Sequence, residues 1–516
     1  MVLKSRSGIE RKRIDFGYSF RYNQSRSNGM KKTLSVLIVA FLFLTTVYLI
    51  SKIPQKNKPA DIKSLDKNPQ EITEEWAGIF IKGQRVGYSF TKVAKFDVGL
   101  EVENKTQMKI FMMQEVTELT THFYAHTDTD YTLKNFSIEI TTAGHPTRVD
   151  GEIDGNQLIL TTYSRGMKQT QKKVLEEKPY FPDAIEQVIK KKGLKPGDEI
   201  TIPYFDPTTQ SQSRARIKVL PAERITVLDR EMVGTKVELN FLGMVSYLWL
   251  DDNYKVLKES TPNLQLDMIP MTKEEALAEI KPEEAFDLLN FFSVKLKRPL
   301  PSGQEISYIK LELNDITIEN LDLNDEYQRL LSETPLIIES HLPDLNEFKT
   351  LTIPLKEPEE FLKPSVYIQS DHHEIIAEAE KIVGNETNAV EAVRKLVSGV
   401  YRMIKKNPTP SLPSALDVLK TKEGDCNEHA ILFVAFARAI GIPAKIYVGL
   451  VNLYGDAYFY HAWCGVWLGK WVPVDPTFNQ FPADVRHLKL KEGEISDWAE
   501  VMKVVGKLRI EVLEYR

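Results

Sequence analysis

The chain has 516 residues, 42% hydrophobic and 27% charged, a balance that fits three or four globular domains of about 150 residues each and excludes a mostly disordered, collagen-like or multi-span membrane protein. The net charge of −5 is uneven: residues 1–32 carry +7, leaving −12 for the rest, and an acidic body gives no reason to expect a nucleic-acid partner. Two cysteines, Cys426 and Cys464, exclude a disulfide framework.

Residues 1–32 read as a basic cytoplasmic arm. From Thr33 to Ser51 no charge interrupts TLSVLIVAFLFLTTVYLIS. That length covers roughly the 30 Å hydrocarbon core of a bilayer, with no small-residue cleavage site after it. The segment predicts an uncleaved transmembrane signal-anchor at 33–51 in contact with the lipid bilayer. The positive-inside bias then puts the C-terminal bulk outside the cytoplasm, as a single-pass membrane protein. Polar residues 52–75 read as a linker.

Period-2 alternation dominates 76–270 and predicts an antiparallel β-rich domain, interrupted by a helix at Asp183–Lys191. Within it Arg214–Val219 and Thr226–Leu228 read as separate strands. Residues 271–370 read as a second β-rich domain, with strands at Phe292–Leu296, Glu305–Leu313, Leu336–Glu339, Lys349–Ile353 and Val366–Gln369. Asp371-His372-His373-Glu374 lacks the H-E-x-x-H spacing of a zinc site, so Asp371 reads as a helix cap rather than a metal ligand. Residues 371–516 change to helical periodicity, with apolar faces at Ile375, Ile376, Ala379 and Ile382, and again at Ala389–Lys405.

The chemistry concentrates after Pro413. Glu423-Gly424-Asp425-Cys426 is a tight turn, and residues 427–440 form an apolar helix ended by Gly441 and Pro443. Cys426 therefore starts a helix, whose partial positive charge favours a thiolate and whose free amides can serve an oxyanion. Two strands follow, Lys445–Leu453 and Tyr458–Leu468, then a Gly469-Lys470 turn into Trp471–Asp475. Alternation groups His461 with Trp463, Gly465 and Trp467, and turns Cys464 to the opposite face as a small buried hydrophobe. Asp475, on the next strand, can stand beside His461. These residue types predict Cys426 as nucleophile, His461 as general base and acid, and Asp475 as the group that orients the imidazole. Trp463, Trp467 and Trp471 are expected to line a cleft and exclude water.

The runs Gly424-Asp425-Cys426-Asn427-Glu428-His429-Ala430, Ala437–Ala444, His461-Ala462-Trp463 and Trp471–Thr477 resemble the transglutaminase-like superfamily over roughly residues 380–490. The resemblance implies a papain-like α+β core with Cys426, His461 and Asp475 as triad. It also implies attack on an amide carbonyl to give a thioester, resolved by water or by an amine. The expected fold class is thus α+β: an N-terminal transmembrane helix, antiparallel β-rich domains and a C-terminal papain-like domain. No Ca²⁺-loop pattern occurs, and neither cofactor nor metal is expected. The expected partner is a protein or peptide amide of the cell envelope. Glu428 and His429 are expected to cap and position. The alternative is a non-catalytic envelope binding or scaffold protein.

Overall fold

The computed structural model describes residues 68–516, apart from short internal stretches of which 407–413 and 494–500 are the longest. The basic arm 1–32, the segment 33–51 and linker residues 52–67 lie outside the described residues. Two expectations need correction. The chain is mostly β, with 50% strand and 19% helix, rather than α+β with a transmembrane helix. No helix among the described residues is long and apolar enough to cross a membrane, so the single-pass placement is not supported.

The strand excess comes from residues 71–270. Fourteen strands form one antiparallel path, and a short strand at Phe286–Asp287 joins it in parallel. Glu71–Ile81 lies mid-sheet, paired with Gln84–Phe96 on one side and Leu266–Pro270 on the other. The edges are Met167–Val174 and Glu199–Asp206. The stretch between them ties the sheet towards closure: Tyr180 bridges Tyr204, and Glu176 N–H donates to Gln212. In its core Phe123 stacks on Phe136 and Phe181, and Phe205 meets Phe136 at a tilt.

Two sequence readings there fail for identifiable reasons. Arg214–Val219 and Thr226–Leu228 are parts of a single strand, Ser211–Val227, whose register shifts between Val219 and Ala222. Pro221 sits in that irregularity, where its missing N–H costs no ladder bond. Met167–Val174 (MKQTQKKV) is an edge strand with no apolar alternation to reveal it, its lysines being a usual guard of an open edge.

The second β-rich stretch builds a smaller sheet from β1 (Tyr308–Asn314), β2 (Gln328–Glu333) and β3 (Leu336–His341). No strand forms at 349–353 beyond a single bridge from Thr352 to Asn388. Next come α1 (His373–Val383), α2 (Ala389–Met403), α3 (Ala415–Thr421) and α4 (Cys426–Ala439). The strands β4 (Ala444–Asn452), β5 (Ala457–Trp467), β6 (Trp471–Val474) and β7 (His487–Glu492) follow, with β8 (Arg509–Tyr515) last. β5 pairs with β4 and β6, and β7 with β4. β8 returns to pair with β1, and Val294 pairs with Tyr458, so strand pairing crosses the expected boundary at residue 371.

Helix α4 is the axis of this region. All its residues from Cys426 to Ala437 are buried, including the polar ones of its first turn, as expected for a helix apolar on every side. α1, α2 and α3 pack on it from one side and β4 and β5 from the other. That packing fixes Cys426 against the sheet.

Candidate active site

The turn before α4 holds the site's first element. Gly424 has φ +157, and a Cβ there would meet the Glu428 side chain at 2.3 Å. Glycine thus lets Glu428 fold back, where its Oε2 accepts the Asp425 N–H at 2.9 Å. Asp425 in turn accepts the amides of Asn427 and Glu428, completing a capping box. The amides expected to be free for an oxyanion are therefore largely occupied, which leaves that of Cys426 itself unused by the cap. Glu428 serves as a cap, and His429 Nδ1–H donates to the Asp425 carbonyl. His429 Nε2 is buried with no hydrogen-bond partner, and burial lowers that ring to about 4, so it is neutral.

Cys426 starts α4 with zero exposure. The Ala462 backbone amide, next to His461, faces the sulfur and favours its thiolate. Burial outweighs this. It drives the thiol well above its ordinary range, and the Asp425 carboxyl adds to the rise. Burial thus works against the low-pKa thiolate expected at the helix start.

His461 lies on β5, stacked between Phe478 at 4.8 Å and Trp463 at 6.0 Å between ring centroids. Its Nε2–H donates to Asp475 Oδ2 at 2.7 Å. An ionised carboxylate only accepts, so Nε2 carries the proton and Nδ1 the basic lone pair. Nδ1 is buried and has no hydrogen-bond partner. Burial lowers the pKa of His461, partly offset by Asp475. Asp475 follows β6 in a closed turn, with reciprocal backbone bonds to Gln480 at 2.9 Å. Its Oδ1 accepts the amides of Thr477 at 2.7 Å and Phe478 at 3.2 Å. Burial would raise its pKa, but His461 and His487 reverse this and hold the carboxyl well below the usual range.

Sequence reasoning missed two residues here. His487, the first residue of β7, donates from Nε2 to Asp475 Oδ2 at 3.0 Å. Lys406, which pairs with Gly424 through a short parallel strand, carries an ammonium that biases His461 and His429 towards their neutral forms. Burial lowers Lys406 to about 8, with Asp475 pulling the other way.

The remaining expected residues fall elsewhere. Cys464 is buried on the opposite face of β5, its S–H on the Ala430 carbonyl at 3.6 Å. Trp463 packs on the His461 imidazole, whereas Trp467 and Trp471 pair with each other at 5.4 Å, and Trp471 also meets Phe361 and Lys445. Those two therefore line a separate aromatic cluster. The cap of α1 is His372, not Asp371. Ligand atoms of His372, His373 and Glu374 lie within 4.8 Å of one another, as do those of His461, Asp475 and His487. In the second set Asp475 Oδ2 already accepts from both rings, which is a hydrogen-bonded array rather than a cage of lone pairs.

Residues 376–476 match the family model of the Transglutaminase-like superfamily. No curated protein matches the chain. Among solved structures, one from Cytophaga hutchinsonii described as a "putative cysteine protease" is 18% identical, covers 41% of this chain and 86% of its own, and has a TM-score of 0.28. A β-barrel-like protein of unknown function from Brucella abortus is 10% identical over 39% of this chain and 95% of its own, at 0.30. A "putative protease" from Parabacteroides distasonis is 14% identical over 68% and 67%, at 0.21. None of these scores reaches the range of a shared overall fold.

Proposed function

We propose that residues 371–516 form a thiol enzyme acting on amide or peptide bonds, with Cys426 as nucleophile, His461 as general base and acid, and Asp475 as the orienting carboxylate. The observation that carries this reading is the division of labour on the His461 ring. Nε2 is committed to Asp475, while the buried Nδ1 keeps a lone pair that no protein group uses.

In the proposed reaction, His461 Nδ1 takes the Cys426 proton as sulfur attacks the amide carbon. The new C–S bond gives a tetrahedral oxyanion. The Cys426 amide is placed to stabilise that charge, as the helix-end donor the cap leaves over. His461 then returns the proton to the leaving amine as the C–N bond breaks, which leaves a thioester. Water or an amine, deprotonated by the same nitrogen, resolves the thioester by hydrolysis or acyl transfer. Asp475 stabilises the transient imidazolium throughout.

Burial favours the protonated thiol, so in this reading His461 takes the proton as the sulfur attacks an electrophile. The test is intact-protein mass spectrometry after incubation with a library of peptide amides. A covalent adduct localised to Cys426, lost in Cys426→Ala and accumulating when turnover is slowed, is expected. Turnover of an amide substrate by Cys426→Ala would refute the assignment.

A further inference from the structure

Both nitrogens of the buried His487 ring face acceptors. Nε2 meets Asp475 Oδ2 at 3.0 Å, and Nδ1 meets the Asp484 carbonyl at 3.0 Å and its Oδ1 at 3.2 Å. Carbonyl and carboxylate oxygens cannot donate, so the ring satisfies all these contacts only with a proton on each nitrogen. Asp475 Oδ2 is then shared by two imidazoles, His461 at 2.7 Å and His487 at 3.0 Å.

We propose that His487 is a positioning residue of the site, an imidazolium clamped between Asp484 and Asp475 that fixes the Asp475 carboxylate and restrains the basicity of His461. This rests on the reading of Cys426, His461 and Asp475 given above. Fixing the carboxylate follows from geometry. With Thr477 and Phe478 amides on Oδ1 and two rings on Oδ2, all four lone-pair sites of Asp475 are filled, and the carboxylate has no alternative rotamer of equal bonding. The effect on His461 follows from charge. The two rings lie 5.8 Å apart between centroids, and a cation on the shared carboxylate offsets part of the attraction that Asp475 offers the His461 imidazolium.

The charged and titratable groups around His487 are consistent with this assignment. Asp475 and Asp484 face it directly. Burial opposes its charge, yet those two carboxylates push its pKa up to about 10. His461 is the neighbouring base, and Arg486 draws on Asp484. Across a small cavity stand Tyr447, His341 and Lys489, the last neutralised by Asp325 at 2.7 Å. The array therefore comes to one proton-rich ring between two carboxylates, with the catalytic ring as the adjustable member.

The test is NMR of histidine-labelled, full-length protein, with His461 and His487 assigned by substitution. The His487 ring should show both N–H groups at pH 8. In His487→Gln, whose amide still donates to Asp475 but carries no charge, the His461 pKa should rise by roughly half a unit or more. A purely structural role would not move it upward. A neutral His487 ring at pH 8, or an unmoved His461 titration in folded His487→Gln, overturns the proposal. Should that variant not fold, the charge state of His487 in the unaltered protein decides alone. Failure of the triad reading shows separately, as Cys426 alkylation that His461→Ala leaves unchanged.

Discussion

Two buried carboxylates, one in each half of the molecule, meet dehydration in opposite ways. Glu259, on the strand Val256–Thr261 of the large sheet, lies in register between Leu248 and Met268. Burial pushes it up to about 8, and nearby Glu186, itself raised by burial to about 7, adds to this. Asp475 in the C-terminal region is more deeply buried, with zero exposure, yet stays ionised because two imidazoles and two backbone amides face it. Burial therefore does not decide charge here; the groups aimed at the oxygens do. The sheet can hold a protonated acid, whereas the proposed reaction needs a carboxylate, and the bonds around Asp475 keep it one.

The comparison can be broken most decisively at the nucleophile. Cys426→Ala should lower amide turnover by more than about 10⁴-fold with folding retained, read by assay and circular dichroism. Asp475→Asn comes next. It keeps the shape but cannot accept from both rings as an anion, and a loss of about 10³- to 10⁴-fold is expected. The same variant should let His487 fall from about 10 towards its ordinary range, seen by NMR; an unmoved His487 would contradict the shared-carboxylate geometry.

A smaller effect is expected in the sheet. The folded pKa of Glu259 lies above its unfolded value of 4.5, so folding takes up a proton. That contribution is complete below about 4.5 and is lost as pH rises through about 8, on the order of 1 to 3 kcal/mol. Glu259→Gln should flatten the fall in thermal stability between pH 5 and 9, and an unchanged slope would show that Glu259 ionises freely. Smallest is Cys464→Ala, expected to cost about 1 kcal/mol and to leave turnover intact, measured by denaturant unfolding beside the assay.

The candidate site was legible where chemistry and periodicity coincide. The Gly-Asp-Cys turn before an apolar run marks Cys426 at a helix start, and strand alternation separates His461 from Cys464 and brings Asp475 beside it. His487 was not legible. It follows an irregular loop, and its strand pairs with β4 rather than with β6, which leads into Asp475, so no local period links the two. The cost of burying the Cys426 thiol was equally hidden, because the helix-end argument contains no measure of dehydration. In the sheet, local pattern found most strands, but it split one strand in two where the fold uses an irregularity, and the lysine-rich edge strand lacked any apolar signal. The transmembrane reading rested on the length and lack of charge of residues 33–51, the missing cleavage site and the basic flank, and no helix among the described residues is long and apolar enough to cross a membrane.

Peptide-resolved alkylation by iodoacetamide at neutral pH tests the central claim most directly, because Cys426 and Cys464 both have zero exposure and burial alone would leave them equally inert. The account predicts that Cys426 is labelled well ahead of Cys464 and that His461→Ala removes the difference. Equal labelling of the two thiols, or a preference for Cys426 that survives His461→Ala, would contradict it.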